Sequence, residues 1–90
     1  MYSKITKLTN PSGLHARPAS LFVSEAKKYK SSITIKNADT DAQPQNAKSV
    51  IMVLASALKV NMSIEISADG EDKVEAVDNL IALVESGFDE

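Results

Sequence analysis

The sequence contains no cysteine and no tryptophan, and it has a single histidine and a single arginine. The lack of cysteine excludes a disulfide framework, a zinc knuckle and thiol catalysis. A single histidine excludes any multi-histidine metal site, and it argues against a Ser-His-Asp hydrolase in so short a chain. We therefore expect neither a metal nor a cofactor.

Long apolar stretches are also missing. No run approaches the roughly 20 residues that a membrane-spanning helix needs, and Met1–Lys4 lacks the apolar stretch of a signal peptide. The sequence pI of about 5.3, the aromatic content of 4% and the single arginine argue against nucleic-acid binding. These features predict a cytoplasmic protein that neither inserts into a membrane nor binds nucleic acid.

The residues that are present fit one globular domain. The 90 residues are 43% apolar and 24% charged, a mixture typical of a chain with one modest core. Residues 1–38 carry seven basic groups and one acid, whereas residues 39–90 carry three lysines and eleven acids. We expect a single domain over residues 1–90, whose basic first half is suited to steering acidic protein partners.

The apolar pattern predicts three helices and three or four strands. Strands are predicted at 2–9, 31–36 and 62–68, mainly from alternating polarity and β-branched content. Helices are predicted at 16–29, 49–58 and 72–86, the second capped by Asn46 or Ser49. The polar residues 37–46 predict a loop with at most a short edge strand. Alternating strands favour antiparallel pairing with helices on one face, so the expected fold class is α+β.

The most informative stretch is Gly13-Leu14-His15-Ala16-Arg17-Pro18-Ala19, at the start of the first predicted helix. A helix N-terminus has unpaired backbone N–H groups and a partial positive charge, which suit an anion. The planar guanidinium of Arg17 suits phosphate oxygens, and a neutral imidazole such as that of His15 is a nucleophile at physiological pH. The stretch is therefore suited to carrying a phosphoryl group on His15.

Two other interpretations of His15 stay open on the residues alone. The first is a helix cap or a satisfied surface side chain. The second is an enzyme that uses His15 for general acid–base catalysis, although the sequence indicates neither a pocket nor an adjacent nucleophile or base.

The same stretch resembles the active-site signature of HPr, the histidine-containing phosphocarrier family of the bacterial phosphoenolpyruvate-dependent sugar phosphotransferase system. Residues 46–49 resemble the entry to the family's second helix, and residues 66–72 resemble its last strand and turn. The resemblance implies an open-faced β-sandwich, in which three helices cover one face of a four-stranded antiparallel sheet. It also implies a carrier protein that is not itself an enzyme.

The resemblance implies roles for particular residues. His15 matches the histidine that accepts a phosphoryl group on Nδ1 from phospho-enzyme I and passes it to a sugar-specific enzyme IIA. Arg17 matches the residue that stabilises the phosphate, and the backbone of Ala16 and Arg17 would bind it. The alternative is a regulatory paralogue that acts by protein binding, although paralogues that lack the histidine do not fit a chain with His15.

The second predicted helix is almost entirely apolar. A short helix on a sheet buries only one face, so part of this apolar surface should be exposed. An exposed apolar patch near the predicted site indicates a docking surface for partner proteins. The resemblance implies that Val50, Ile51 and Leu54 are the docking positions.

Ser49 precedes this helix and has two interpretations. It is a good N-cap residue, and the resemblance implies that a regulatory kinase phosphorylates the matching serine in many Gram-positive bacteria. The implied partners are then enzyme I, enzyme IIA proteins, a serine kinase and a transcriptional co-regulator. We expect the chain to be a monomer.

Two positions depart from the family's common pattern. The loop at 37–46 is longer than usual, and Asn61 stands where a glycine is frequent. Asparagine can replace that glycine even if the backbone is left-handed there, because it tolerates this conformation better than most residues. Neither departure affects the signature.

Overall fold

A four-stranded sheet with helices on one face makes up the structure, a computed structural model that describes residues 1–90. The elements are β1 (Tyr2–Lys7), α1 (Ala16–Ala26), β2 (Ser32–Asn37), β3 (Gln45–Asn46), α2 (Val50–Ala55), β4 (Ser63–Asp69) and α3 (Lys73–Glu85). All strand pairs are antiparallel, in the order β1-β4-β2-β3. The expected α+β fold class is confirmed, and the short edge strand within 37–46 exists as β3. None of the helices has the length and apolar character needed to cross a membrane.

The core lies between the sheet and the helices. In the central strand β4, the alternate residues Ile64, Ile66 and Ala68 are buried, whereas the residues between them are partly exposed. Phe22 from α1 and Leu80 from α3 are fully buried in the same cluster. The period of two in β4 therefore gives the sheet one face against the helices and one face toward solvent.

The first strand is joined to the last helix by side-chain hydrogen bonds. The Tyr2 hydroxyl donates to Asp78 at 2.9 Å, and the Thr6 hydroxyl donates to Glu85 at 3.2 Å. Lys4 also forms an ion pair with Asp78 at 2.9 Å. These contacts hold β1 against α3 along most of the length of the strand.

Two helices end earlier than the sequence predicts. Helix α1 ends at Ala26 rather than Tyr29, and α2 ends at Ala55 rather than Leu58. In α2 the reason is local, because Ala57 has a left-handed backbone with a φ of 53° and the Ser56 hydroxyl donates back to the Val53 carbonyl. A residue with a left-handed backbone ends a helix. Because that residue is usually glycine and here is alanine, the sequence does not indicate that α2 ends at this point.

The cap of α2 is Ser49. Its hydroxyl accepts a hydrogen bond from the Met52 N–H at 3.3 Å. Asn46, the other candidate, instead accepts from the Lys48 N–H at 2.9 Å and shapes the turn before the helix. The capping role predicted for Ser49 is therefore confirmed.

The loop at 37–46 is hydrogen-bonded to the start of β4. The carboxylate of Asp39 accepts from the Ser63 N–H at 3.2 Å, and the Ala38 N–H donates to the Ser63 carbonyl at 2.8 Å. Asn61, just before β4, has a left-handed backbone with a φ of 74°, a conformation that asparagine tolerates.

Asp72 connects α3 to the turn between α1 and β2. It is the N-cap residue of α3, yet its side chain makes no capping hydrogen bond to that helix. Its carboxylate instead accepts from the Lys30 N–H at 2.8 Å, from the Ser31 N–H at 3.0 Å and from the Ser31 hydroxyl. These bonds lower the pKa of the Asp72 carboxyl, the Ser31 hydroxyl bond having the largest effect.

Candidate functional site

A tight turn at residues 10–13 leads into the signature. Asn10 is buried, and its side-chain N–H donates to the Gly13 carbonyl at 2.9 Å. The backbone carbonyl of Asn10 accepts from the Gly13 N–H at 3.1 Å. Leu14 is buried next, and its N–H donates to the Leu58 carbonyl at 2.9 Å. The turn and this bond fix the backbone on which His15 is carried.

His15 is the N-cap residue of α1 and lies on the surface. Its backbone is extended, with φ of −131° and ψ of 156°, and its side chain makes no capping hydrogen bond. No hydrogen bond or ion pair engages the imidazole, so His15 occupies the N-cap position without capping the helix through its side chain. Both ring nitrogens are open to a reaction partner.

The first turn of α1 offers donors that no other group uses. Ala16 has a left-handed φ of 48° and makes the abrupt change from the extended backbone into the helix. The N–H groups of Ala16 and Arg17 donate no hydrogen bond within the protein, and Pro18 has no N–H to donate. The Arg17 side chain is exposed and forms no ion pair. Unpaired N–H groups and a free cation therefore lie next to His15, as an anion site requires.

A pocket of about 380 Å³ lies beside the imidazole. Its lining includes His15 from the signature, Leu54 from α2 and Lys59 from the segment after α2. The pocket contains no carboxylate. One of the three residues predicted to dock partners therefore shares a pocket with the predicted acceptor.

Helix α2 is exposed over most of its surface. Only Val53 is fully buried. The exposed fractions of Val50, Ile51 and Leu54 are 37%, 77% and 37%, and Met52 is exposed as well. These four apolar residues are thus in contact with solvent, and the exposed apolar patch expected on this helix is present. Val50 and Ile51 lie outside the His15 pocket and extend the apolar surface away from it.

The model of the family described as "PTS HPr component phosphorylation site" matches residues 2–86. The chain belongs to the HPr family. It is 43% identical over 84 residues to the phosphocarrier protein HPr of Haemophilus influenzae, covering 93% of this chain and 95% of the relative. The crystal structure of HPr-C-His from Thermoanaerobacter tengcongensis superposes with a TM-score of 0.93 and 37% identity, over 100% of this chain and 98% of that one.

Longer relatives contain a matching region. The multiphosphoryl transfer protein of Vibrio cholerae serotype O1 is 39% identical over 84 residues, covering 93% of this chain. The chain spans about a fifth of that relative's length, 21%. An HPr region therefore also occurs as one part of larger proteins.

Two charged residues that the sequence does not predict lie near the signature. Lys59 lines the His15 pocket, and no sequence pattern indicates this, because the hydrogen bond from the Leu14 N–H to the Leu58 carbonyl brings the two segments together. The carboxylate of Glu90 accepts hydrogen bonds from Asn10 and Ser12 in the turn before the signature. No sequence pattern links Glu90 to residues about 80 positions earlier.

Proposed function

We propose that the chain is a phosphoryl carrier of the bacterial sugar phosphotransferase system, with the phosphoryl group held on Nδ1 of His15 between two partner proteins. The observation that carries this proposal is the unengaged His15 imidazole beside two unpaired N–H groups and a free guanidinium. The imidazole supplies the nucleophile, and the N–H groups and the guanidinium stabilise the negative charge of the transferred phosphoryl group.

Transfer takes two substitution steps at phosphorus. In the first, the lone pair of Nδ1 attacks the phosphorus of phospho-enzyme I, the bond to the donor breaks, and the donor keeps the bonding electrons. In the second, a nucleophile of a sugar-specific enzyme IIA attacks the same phosphorus, and the electron pair returns to Nδ1. No oxidation or reduction takes place, so neither step needs a redox cofactor.

The residues around His15 stabilise the carried group. A phosphoryl group has a charge of about −2 near neutral pH. The N–H groups of Ala16 and Arg17 are suited to donating to its oxygens, and the guanidinium of Arg17 supplies a permanent positive charge with a planar array of donors.

Partner proteins dock on α2. Val50, Ile51 and Leu54 form an exposed apolar surface, and Leu54 also lines the pocket beside His15. A partner that covers the pocket to reach the imidazole would therefore contact this surface. The site draws its residues from one copy of residues 1–90, so a monomer acting as a single domain suffices.

The geometry favours a carrier over an acid–base enzyme. General acid–base chemistry usually needs a second titratable group positioned with the first. The pocket beside His15 has no carboxylate among its lining residues. The phosphoryl group therefore gains its reactivity from the partners' active sites.

The test is incubation of the chain with enzyme I and labelled phosphoenolpyruvate. We expect one label per chain that is lost in acid and stable in alkali, as for phosphohistidine, and no label on a folded His15→Ala variant. Retained labelling of His15→Ala would exclude His15 as the acceptor. A circular dichroism spectrum equal to that of the wild type is the control for folding.

We propose Ser49 as a second, regulatory phosphorylation site. Its hydroxyl caps α2 through the Met52 N–H, is only partly buried, and stands next to Val50 of the docking surface. A serine kinase would act there, and the phosphoserine would alter binding of enzyme I or of a transcriptional co-regulator. The test is an ATP-dependent label that survives acid and disappears in Ser49→Ala; a label that persists in this variant contradicts the assignment.

A further inference from the structure

The segment after α3 turns back toward the turn that precedes His15. Three consecutive residues, Gly87, Phe88 and Asp89, have left-handed φ values of 76°, 53° and 63°. This conformation is unfavourable for the two residues that are not glycine. The Phe88 side chain is buried in the core, and it fixes the position from which Glu90 continues.

The Glu90 carboxylate is bound by both sides of the turn at 10–13. Its Oε1 accepts from the Asn10 side-chain amide at 3.0 Å and from the Ser12 N–H at 3.1 Å. Its Oε2 accepts from the Ser12 hydroxyl at 2.8 Å. The same Asn10 amide donates to the Gly13 carbonyl, two residues before His15. Glu90 therefore lies at one end of a continuous hydrogen-bonded connection to the backbone that carries the imidazole.

These are charge-assisted hydrogen bonds. The pKa of the Glu90 carboxyl is held below its usual range, mainly by the bond from Asn10 and then by the two bonds from Ser12, with a smaller effect from the nearby charge of Arg17. The carboxylate is thus ionised at neutral pH, and bonds to an ionised acceptor are shorter and stronger than neutral ones. Arg17 itself is not within ion-pair distance of Glu90, so its guanidinium stays available.

Ser12 links this network to the reaction. It binds Glu90 through both its N–H and its hydroxyl, and it also lines the pocket beside the imidazole. A shift of the turn would move both Ser12 and the backbone leading to His15. Displacements of about 1 Å from outside the reacting groups can lower a rate by on the order of 100-fold.

We propose that Glu90 is a positioning residue for phosphoryl transfer: its carboxylate, bound to Asn10 and Ser12, holds the 10–13 turn in the conformation that presents His15 to the partner. This proposal rests on the proposed function of His15. It assigns a reaction role to a residue outside the signature and distant from it in sequence.

The experiment compares phosphoryl acceptance from phospho-enzyme I for wild type, Glu90→Ala, Glu90→Gln and Ser12→Ala, each with its melting temperature. We expect Glu90→Ala to lower kcat on the order of tenfold with KM within about twofold, since the docking surface on α2 is untouched. Glu90→Gln should recover most of the rate, because its amide oxygen still accepts from Asn10 and the Ser12 N–H. Asp89→Asn, which removes a charge from the same segment without removing a side-chain hydrogen bond, should match the wild type.

The double variant Ser12→Ala/Glu90→Ala tests the connection itself. If Glu90 acts through the turn, the two changes are not additive and the double variant is little slower than Glu90→Ala. A kcat for Glu90→Ala equal to wild type overturns the proposal. So does a Glu90→Gln variant as slow as Glu90→Ala, because the charge near Arg17 and not the positioning would then matter.

The His15→Ala variant separates failure of this proposal from failure of the proposed function. If His15→Ala still accepts the label, the acceptor assignment fails whatever Glu90 does. If His15→Ala is inactive while Glu90→Ala is as fast as wild type, only the role of Glu90 fails. Amide hydrogen exchange at Ser12 and Gly13, faster in Glu90→Ala and near wild type in Glu90→Gln, is the independent readout.

Discussion

Gly13 approaches Leu58 so closely that a Cβ atom on Gly13 would stand 2.7 Å from the Leu58 carbonyl oxygen. It would also stand 2.8 Å from the Lys59 Cα. Both neighbours are backbone atoms, which cannot rotate away as a side-chain end can. The glycine of the signature is thus required where two chain segments meet close to His15.

Gly13→Ala is expected to destabilise the fold by about 2–5 kcal/mol. The left-handed φ of 61° costs about 1–2 kcal/mol for a residue with a Cβ, and the overlap with Leu58 and Lys59 adds about 1–3 kcal/mol. Chemical denaturation measures the change. Gly87→Ala is the matched control, because Gly87 has a φ of 76° with nothing near the added atom. Equal losses for the two variants would show that the close approach costs nothing.

Arg17→Ala is expected to slow phosphoryl transfer and leave the melting temperature nearly unchanged. The side chain is exposed and unpaired, so the fold loses little. Arg17→Lys should recover the rate only in part, because lysine supplies charge without the planar pair of donors. Single-turnover transfer from phospho-enzyme I is the measurement. An unchanged rate for Arg17→Ala would limit this residue to stabilising the helix end.

Ser49 variants separate capping from regulation. Ser49→Ala is expected to lose about 1 kcal/mol of stability with the cap and to transfer phosphate nearly normally. Ser49→Asp should keep or raise the melting temperature, because a carboxylate is favourable at a helix N-terminus. It should weaken binding to enzyme I, because the charge stands beside Val50 of the docking surface. Normal transfer by Ser49→Asp would leave Ser49 with a capping role only.

Truncation of Val53 and truncation of Ile51, both in α2, should affect different properties: the first stability, the second affinity for enzyme I. Val53→Ala removes a fully buried side chain and is expected to cost about 1–3 kcal/mol of stability. Ile51→Ala removes a side chain that is 77% exposed, so stability should change by less than about 0.5 kcal/mol. Its affinity for enzyme I should fall by about 5-fold or more, as at a binding hot spot. Isothermal titration and thermal melts test the pair, and wild-type affinity for Ile51→Ala would place docking elsewhere.

Asp72 should contribute stability that depends on pH. Its folded pKa lies below the ordinary value of 3.8 because of its bonds to Ser31 and Lys30. The contribution is therefore fully present above that ordinary value and is lost as the pH falls through the folded pKa. In Asp72→Asn, the unfolding free energy should be lower than in wild type at neutral pH, and the difference should shrink below about pH 4. Asp41→Asn, which removes an exposed carboxylate that makes no side-chain hydrogen bond or ion pair, is the matched control for the loss of one negative charge.

The sequence predicts those parts of the fold and of the site that depend on residues close together in the chain. The alternation at 62–68 predicts the strand that the structure has at Ser63–Asp69, and the signature identifies His15 and Arg17 together because they are two residues apart. Reasoning from neighbours in the chain fails at Ala57, where the left-handed backbone falls on a residue that is a good helix former. It also fails at Glu90, whose hydrogen-bond partners are about 80 residues away.

The pairing of β1 with β4 sets when the protein can fold during its synthesis. Tyr2 pairs with Ala68 and Lys7 with Ser63, so the first strand has no partner until about 60 further residues have been added. Strand β2 pairs with β4 as well, which leaves only the two-residue pairing with β3 available earlier. The sheet therefore assembles when β4 leaves the ribosome. Until then, the nascent chain is an incomplete set of strands that chaperones and proteases can still reach.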